Sequence, residues 1–177
     1  VATSPYPWPY DGDQGPRRLA LVVVGAQAWW LARTDAPVAT LEVLERTTKV
    51  VRDAGGAVVF VRRAGAGEPA MEPQPGDELV ECTGMSGFSG GPLDVRLRAL
   101  GRDRLAVGGL GLETAVYSTV AGANDRGYEC LVLADAAAPH DRRLGDRALC
   151  SITMSGGIFG AVGTTSDLLD PLGKERT

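Results

Sequence analysis

Apolar residues along this chain fall into short unbroken runs, and between the runs they recur at helical spacing. Leu19 to Val24 is wholly apolar and rich in β-branched residues, the pattern of a strand buried on both faces of a parallel sheet. Ala57 to Arg62, Leu79 to Cys82, Leu105 to Gly108, Glu129 to Ala134 and Ile158 to Val162 read as further strands. A helix is predicted over Val38 to Asp53, with Leu41, Leu44, Val50 and Val51 on its apolar side. Thr40 or Asp35 is its expected cap, and Gly55-Gly56 its stop. Helices follow at Pro92 to Leu100, Glu113 to Arg126 and Asp141 to Met154, with a last turn near Asp167 to Leu172. Strands alternating with helices at this spacing imply right-handed βαβ units. The expected fold is α/β, a three-layer α/β/α sandwich around a mostly parallel sheet of about six strands.

Two segments lack this periodicity. Residues 1–18 carry Pro5, Pro7, Pro9 and Pro16 with Tyr6, Trp8 and Tyr10 between them, which forbids a helix and suggests an extended arm. Its aromatics suggest that it is pinned against the body or a neighbouring subunit. The expected organisation is therefore an arm over 1–18 and a single domain over 19–177. The second segment is the loop Ala64 to Asp77, rich in Gly, Pro and acids and stiffened by Pro69, Pro73 and Pro75.

Charge and cysteine content narrow the partners. The formal net charge of the 177 residues is −4, with Arg and Asp/Glu intermixed. That balance argues against a nucleic-acid surface. No apolar run approaches the roughly 20 residues that span a bilayer, and no leader-like segment is seen, so no membrane association is expected. Three widely spaced cysteines, Cys82, Cys130 and Cys150, read as reduced residues, and the expected location is cytoplasmic.

The candidate chemistry centres on the stretch Leu105 to Tyr128, a strand, a glycine-rich turn at Gly108-Gly109 and a helix. In an open α/β sheet, ligands bind at the carboxyl end of such a strand. Several patterns in order resemble a known family. They are Pro9-Tyr10-Asp11-Gly12 with the strand Arg18 to Val24, then Gln27 and Trp30, then Phe88 with Leu93 and Leu97-Arg98-Ala99-Leu100-Gly101. Ala123-Asn124-Asp125-Arg126-Gly127-Tyr128, Leu131 to Asp135 and Met154 to Val162 complete the set. Together they resemble the isochorismatase-like cysteine hydrolases, in particular the biuret-hydrolase and ureidoacrylate-amidohydrolase branch.

The resemblance implies a Cys/Lys/Asp triad in which a thiolate attacks an amide-type carbon, aspartate acts as base and lysine steadies the charged pair. Counting from matched landmarks, the aspartate belongs two residues before Gln27, at Gly25. The lysine belongs six residues before Phe88, at Cys82, and the nucleophile twelve before Gly127, at Ala115. Val116 and Thr119 match residues that follow the nucleophile. With Gly25, Cys82 and Ala115 at these seats the family's hydrolytic mechanism is not expected to run. No cofactor and no metal are expected either, because the second strand ends in Val61-Arg62-Arg63 where histidine is common in the nicotinamidase branch, and His140 is the lone histidine.

A pocket is still expected at the sheet's carboxyl edge, lined by Gln27, Trp29, Trp30, Phe88, Gly109, Leu110 and Gly111, its cover shortened by the brief Ala64 to Asp77 loop. Candidate replacement groups each carry two readings. Cys82 is a relocated nucleophile or a small semi-buried residue, and strand alternation sends Glu81 to the opposite face. Glu113 is an acid/base group or a complement to the N-terminus of its helix. Tyr117 faces the pocket or the neighbouring helix. His140 is a pocket base or a loop residue. The expected function is a non-hydrolytic pseudoenzyme that binds a small molecule or a partner subunit, as a homo-oligomer or with an intact paralogue. The alternative is a retooled enzyme of a specialised biosynthetic pathway, performing a cyclisation, elimination or isomerisation.

Overall fold

The computed structural model describes residues 3–174; the first two residues of the arm and the last three of the domain lie outside that range. Six strands, β1 (Leu19–Val24), β2 (Ala57–Arg63), β3 (Glu78–Cys82), β4 (Arg104–Leu110), β5 (Glu129–Ala138) and β6 (Ala161–Gly163), form one sheet in the order β3-β2-β1-β4-β5-β6. Every pairing is parallel. The helices are α1 (Ala28–Leu31), α2 (Pro37–Asp53), α3 (Leu93–Ala99), α4 (Tyr117–Asn124), α5 (Arg142–Gly157) and α6 (Thr165–Lys174).

All six residues of β1 are buried, because helices cover both faces of the central strands. Leu21, Val23 and Phe60 pack under Leu44 and Val51 of α2 and Leu168 of α6. Ala20, Val22 and Val24 pack on the other face with Leu93 and Leu97 of α3, Val120 of α4 and Ile152 of α5. The alternation of strand side chains thus divides the core into two layers. The arm is pinned at its start by an antiparallel bridge from Ser4 to Val162 of β6 and by burial of Trp8.

Several elements differ from the sequence pattern. Gly108 and Gly109 are not a turn but the interior of β4, which runs on to Leu110. A Cβ at Gly109 would lie 1.9 Å from the carbonyl oxygen of Val24, so glycine here lets β1 and β4 approach; the turn falls at Gly111, with φ 76°. The helix expected from Glu113 opens with a π turn over Leu112–Val116 before α4 begins. β5 continues to Ala138, and the last strand starts at Ala161 because Met154, Ser155 and Gly156 leave helical geometry and displace the chain. The short α1 had no periodicity long enough to be seen. α2 makes no side-chain cap; Thr40 is inside the helix and donates to the carbonyl of Ala36.

Candidate functional site

The carboxyl ends of β1, β2, β3 and β4 converge on one small cavity lined by Val24, Gly25, Trp30, Val61, Arg63, Cys82, Met85 and Ala115. Gly25 and Cys82 lie 57 positions apart and Cys82 and Ala115 lie 33 apart, yet the fold brings all three to this one spot. Gly25 ends β1, Cys82 ends β3, and Ala115 sits in the π turn after β4. The cavity measures about 10 Å³, room for no more than about one water.

Trp30 explains that size. Its side chain is 1% exposed and lies over the glycines at both strand ends. A Cβ on Gly25 would be 3.3 Å from Trp30 Cδ1, and one on Gly111 would be 2.5 Å from Trp30 Cζ3. Gly25 itself has φ 71°, and any Cβ there would stand 2.8 Å from the carbonyl oxygen of Leu110. The first position therefore excludes side chains both by backbone conformation and by a backbone neighbour.

Cys82 is buried beside Gly25, and its Sγ donates a weak hydrogen bond to the carbonyl of Gly84, 3.6 Å away. Burial pushes its thiol up from the ordinary value, and Glu81 adds to that; the Arg63 guanidinium acts in the opposite sense without prevailing. The side chain is held as a neutral thiol. Glu81 is exposed, on the opposite face of β3. Arg63 and Met85 were not singled out from sequence. The β2–β3 register, which sets Arg63 against Cys82, is the signal that places Arg63 here.

The remaining expected pocket residues do other work. Gln27 accepts from the Arg63 amide at 2.7 Å and donates to the carbonyls of Arg63 and Gly67, tying the β2–β3 loop to β1. Backbone bonds from Ala28 to Glu68, Trp29 to Ala66 and Ala70 to Ala26 close that loop over the strand end. The short loop is thus fastened to the segment that follows β1. Phe88 packs on Tyr128 and under Arg126, and Trp29 holds the Arg33 guanidinium over its ring. Gly109 and Leu110 belong to β4, Leu110 as its last residue.

The candidate acid/base groups are also engaged. Glu113 accepts from the amides of His140 and Asp141 at 2.9 to 3.2 Å, so its carboxylate braces the entry to α5 and not the start of its own helix. Tyr117 packs edge-on against Phe159, with ring centroids 5.9 Å apart. His140 stacks on Trp30 and places Nδ1 2.9 Å from the carbonyl oxygen of Arg33. Thr119 donates to the carbonyl of Ala115 and accepts from the amide of Gly87, locking the π turn to the segment before Phe88. Cys82, Cys130 and Cys150 are free, and burial pushes the Cys130 thiol up to about 12. Among the described residues no group of three or more His, Cys, Asp or Glu could hold a metal ion, and no helix is long and apolar enough to cross a membrane.

A wholly parallel six-stranded sheet, covered on both faces and carrying a buried cluster at its carboxyl edge, defines a three-layer α/β protein of the strand-end-site type. Within that class, residues 19–167 match the isochorismatase domain, and the chain belongs to that family. It is 36% identical over 101 residues to the ureidoacrylate amidohydrolase RutB of Variovorax paradoxus (strain S110), a match covering 56% of this chain and 38% of that relative. The chain thus aligns with well under half the length of that protein. Its fold is similar to a cysteine hydrolase from Pseudomonas syringae pv. phaseolicola 1448A, with a TM-score of 0.81 and 21% identity, covering 90% of this chain and 94% of the other. It is also similar to N-carbamoylsarcosine amidase from Thermoplasma acidophilum, with a TM-score of 0.72 and 26% identity over 84% of this chain and 96% of the other.

Proposed function

We propose that this isochorismatase-family chain is a non-hydrolytic pseudoenzyme whose role is binding. The observation that carries the reading is the convergence of Gly25, Cys82 and Ala115 on a cavity of about 10 Å³ beneath Trp30. If these positions are the seats of base, cation and nucleophile, two offer no functional group and the third offers a neutral thiol. A substrate the size of a ureide has no room beside them, so the binding surface of this protein lies elsewhere than the old strand-end site. The alternative of a retooled enzyme draws less support, because Glu113 is spent on two backbone amides and Tyr117 on Phe159, while His140 is stacked on Trp30.

The test is turnover of amides, ureas and isochorismate by the purified protein, with Cys82→Ala beside it. The expected result is no hydrolysis above background in either. Hydrolysis that disappears in Cys82→Ala would overturn the proposal and identify Cys82 as a relocated nucleophile.

A further inference from the structure

A larger concavity lies away from the strand-end site, between α2 and the loop that joins β2 to β3, with a volume of about 810 Å³. Val38, Leu41, Phe60 and Met71 give it an apolar floor and wall. Leu79 pairs in register with Phe60 on the edge strand β3 and is 49% exposed, which extends that apolar surface. On that face α2 contributes Leu44 and Val51 to the core. Along the rim the cations are spent: Lys49 pairs with Asp53, and Arg52 with Asp77. Glu42 and Glu45, one helical turn apart on α2, have no ion pair among the described residues. The groove is apolar within and acidic along its lip.

The first two turns of α5 carry the complementary pattern. Arg143 and Arg147 stand one turn apart on the exposed side, with Arg142 and Leu144 beside them, and Leu144 is 47% exposed. Among the described residues none of these three arginines is in an ion pair, whereas Gly145, Ala148 and Ile152 face inward. We infer that the groove beside α2 receives the start of α5 from a second copy of this chain, with Leu144 on the apolar floor and Arg143 and Arg147 against Glu42 and Glu45. Matched charge fixes the register of such a contact, and burial of Leu144 against Val38 and Leu41 supplies its apolar part. α2 and α5 cover opposite faces of the sheet. One contact therefore leaves a free groove on one copy and a free α5 start on the other. The association is head-to-tail, and it closes as a ring or continues as a chain. This inference does not depend on the proposed function, since it uses no residue of the strand-end site.

The experiment is sedimentation velocity of the full chain over a wide concentration range, with two charge-reversal variants, Glu42→Arg/Glu45→Arg and Arg143→Glu/Arg147→Glu. Wild type is expected to exceed the monomer mass of 18.5 kDa and to lose mass as salt is raised. Each variant alone is expected to be monomeric, and Leu144→Ser to weaken association at least about tenfold. An equimolar mixture of the two reversed variants sets the basic groove of one against the acidic α5 start of the other, and the unchanged acidic groove against the unchanged basic α5 start, so it is expected to recover association. A mixture of either variant with wild type is expected to cap growth, giving smaller assemblies than wild type alone. Circular dichroism establishes that the variants are folded. Wild type that remains a monomer throughout, or variants that associate as wild type does, would overturn the inference.

Discussion

The indole of Trp30 and the imidazole of His140 lie nearly parallel, 10° apart in plane, with centroids separated by 5.4 Å. The pair joins α1, which follows β1, to the segment that enters α5, and its indole lies over the strand ends where Gly25 and Gly111 leave space for it. A residue that sequence suggests as a pocket wall is thus the pocket's filling. Trp30→Ala should remove that filling and leave an apolar void. Truncation of a buried tryptophan costs about 3–5 kcal/mol, to be measured by chemical denaturation. The folded variant should also take up small apolar molecules that wild type excludes, as seen by ligand-induced thermal shift.

Gly25 should resist substitution. Its positive φ and the nearby Leu110 carbonyl make even alanine strained, and Gly25→Ala should lose about 1–3 kcal/mol. For the same reason, the triple variant Gly25→Asp/Cys82→Lys/Ala115→Cys should show no hydrolysis of ureides while Trp30 remains in place. Turnover by that variant would mean that the site is blocked by chemistry alone and not by shape.

Glu113 should matter to stability and not to turnover. Glu113→Ala leaves the amides of His140 and Asp141 without their carboxylate, a loss of about 1.5–3 kcal/mol for charged hydrogen bonds. Hydrogen exchange at His140 and Asp141 should quicken first, ahead of the core of α5.

The anchor of the arm should loosen in acid. Asp103 is held below the ordinary carboxylate range chiefly by its hydrogen bonds from Arg18, and Asp11 is lowered by the Asp13 amide and by Arg104 and Arg18. Each carboxylate binds its proton less readily folded than unfolded. The stabilisation is therefore complete above the unfolded pKa of about 4 and is lost as pH falls through the lower folded values. Melting temperature should fall over that acidic range, and Asp103→Asn should flatten the fall.

Thiol reactivity should separate the cysteines. Cys150 is exposed, while Cys82 and Cys130 are buried with raised thiols. A thiol-specific reagent at neutral pH should modify one equivalent quickly and the other two only on unfolding. Fast modification of Cys82 would show a thiolate that the buried site does not favour.

The strands were legible because a parallel sheet covered on both faces demands unbroken apolar runs, as at Leu19 to Val24. Spacing from local landmarks also led to Gly25, Cys82 and Ala115, which the fold brings to one cavity. Gly108-Gly109 misled, because a glycine pair that permits close strand approach has the same composition as one that permits a turn. The role of Glu113 was out of reach for a related reason. Its partners are backbone amides 27 and 28 residues away, and no side-chain pattern records a backbone partner.

The sequence by itself determined the layered α/β fold and the residue types at the strand ends, since both follow from local periodicity and from counting along one chain. Only the tertiary structure decided that the site is filled. Whether a tryptophan lines a cavity or occupies it depends on one side-chain direction, set by space that Gly25 and Gly111 vacate and by the stacking face of His140. Those contacts span 25 to 140 in the chain, and they exist only after the sheet has formed.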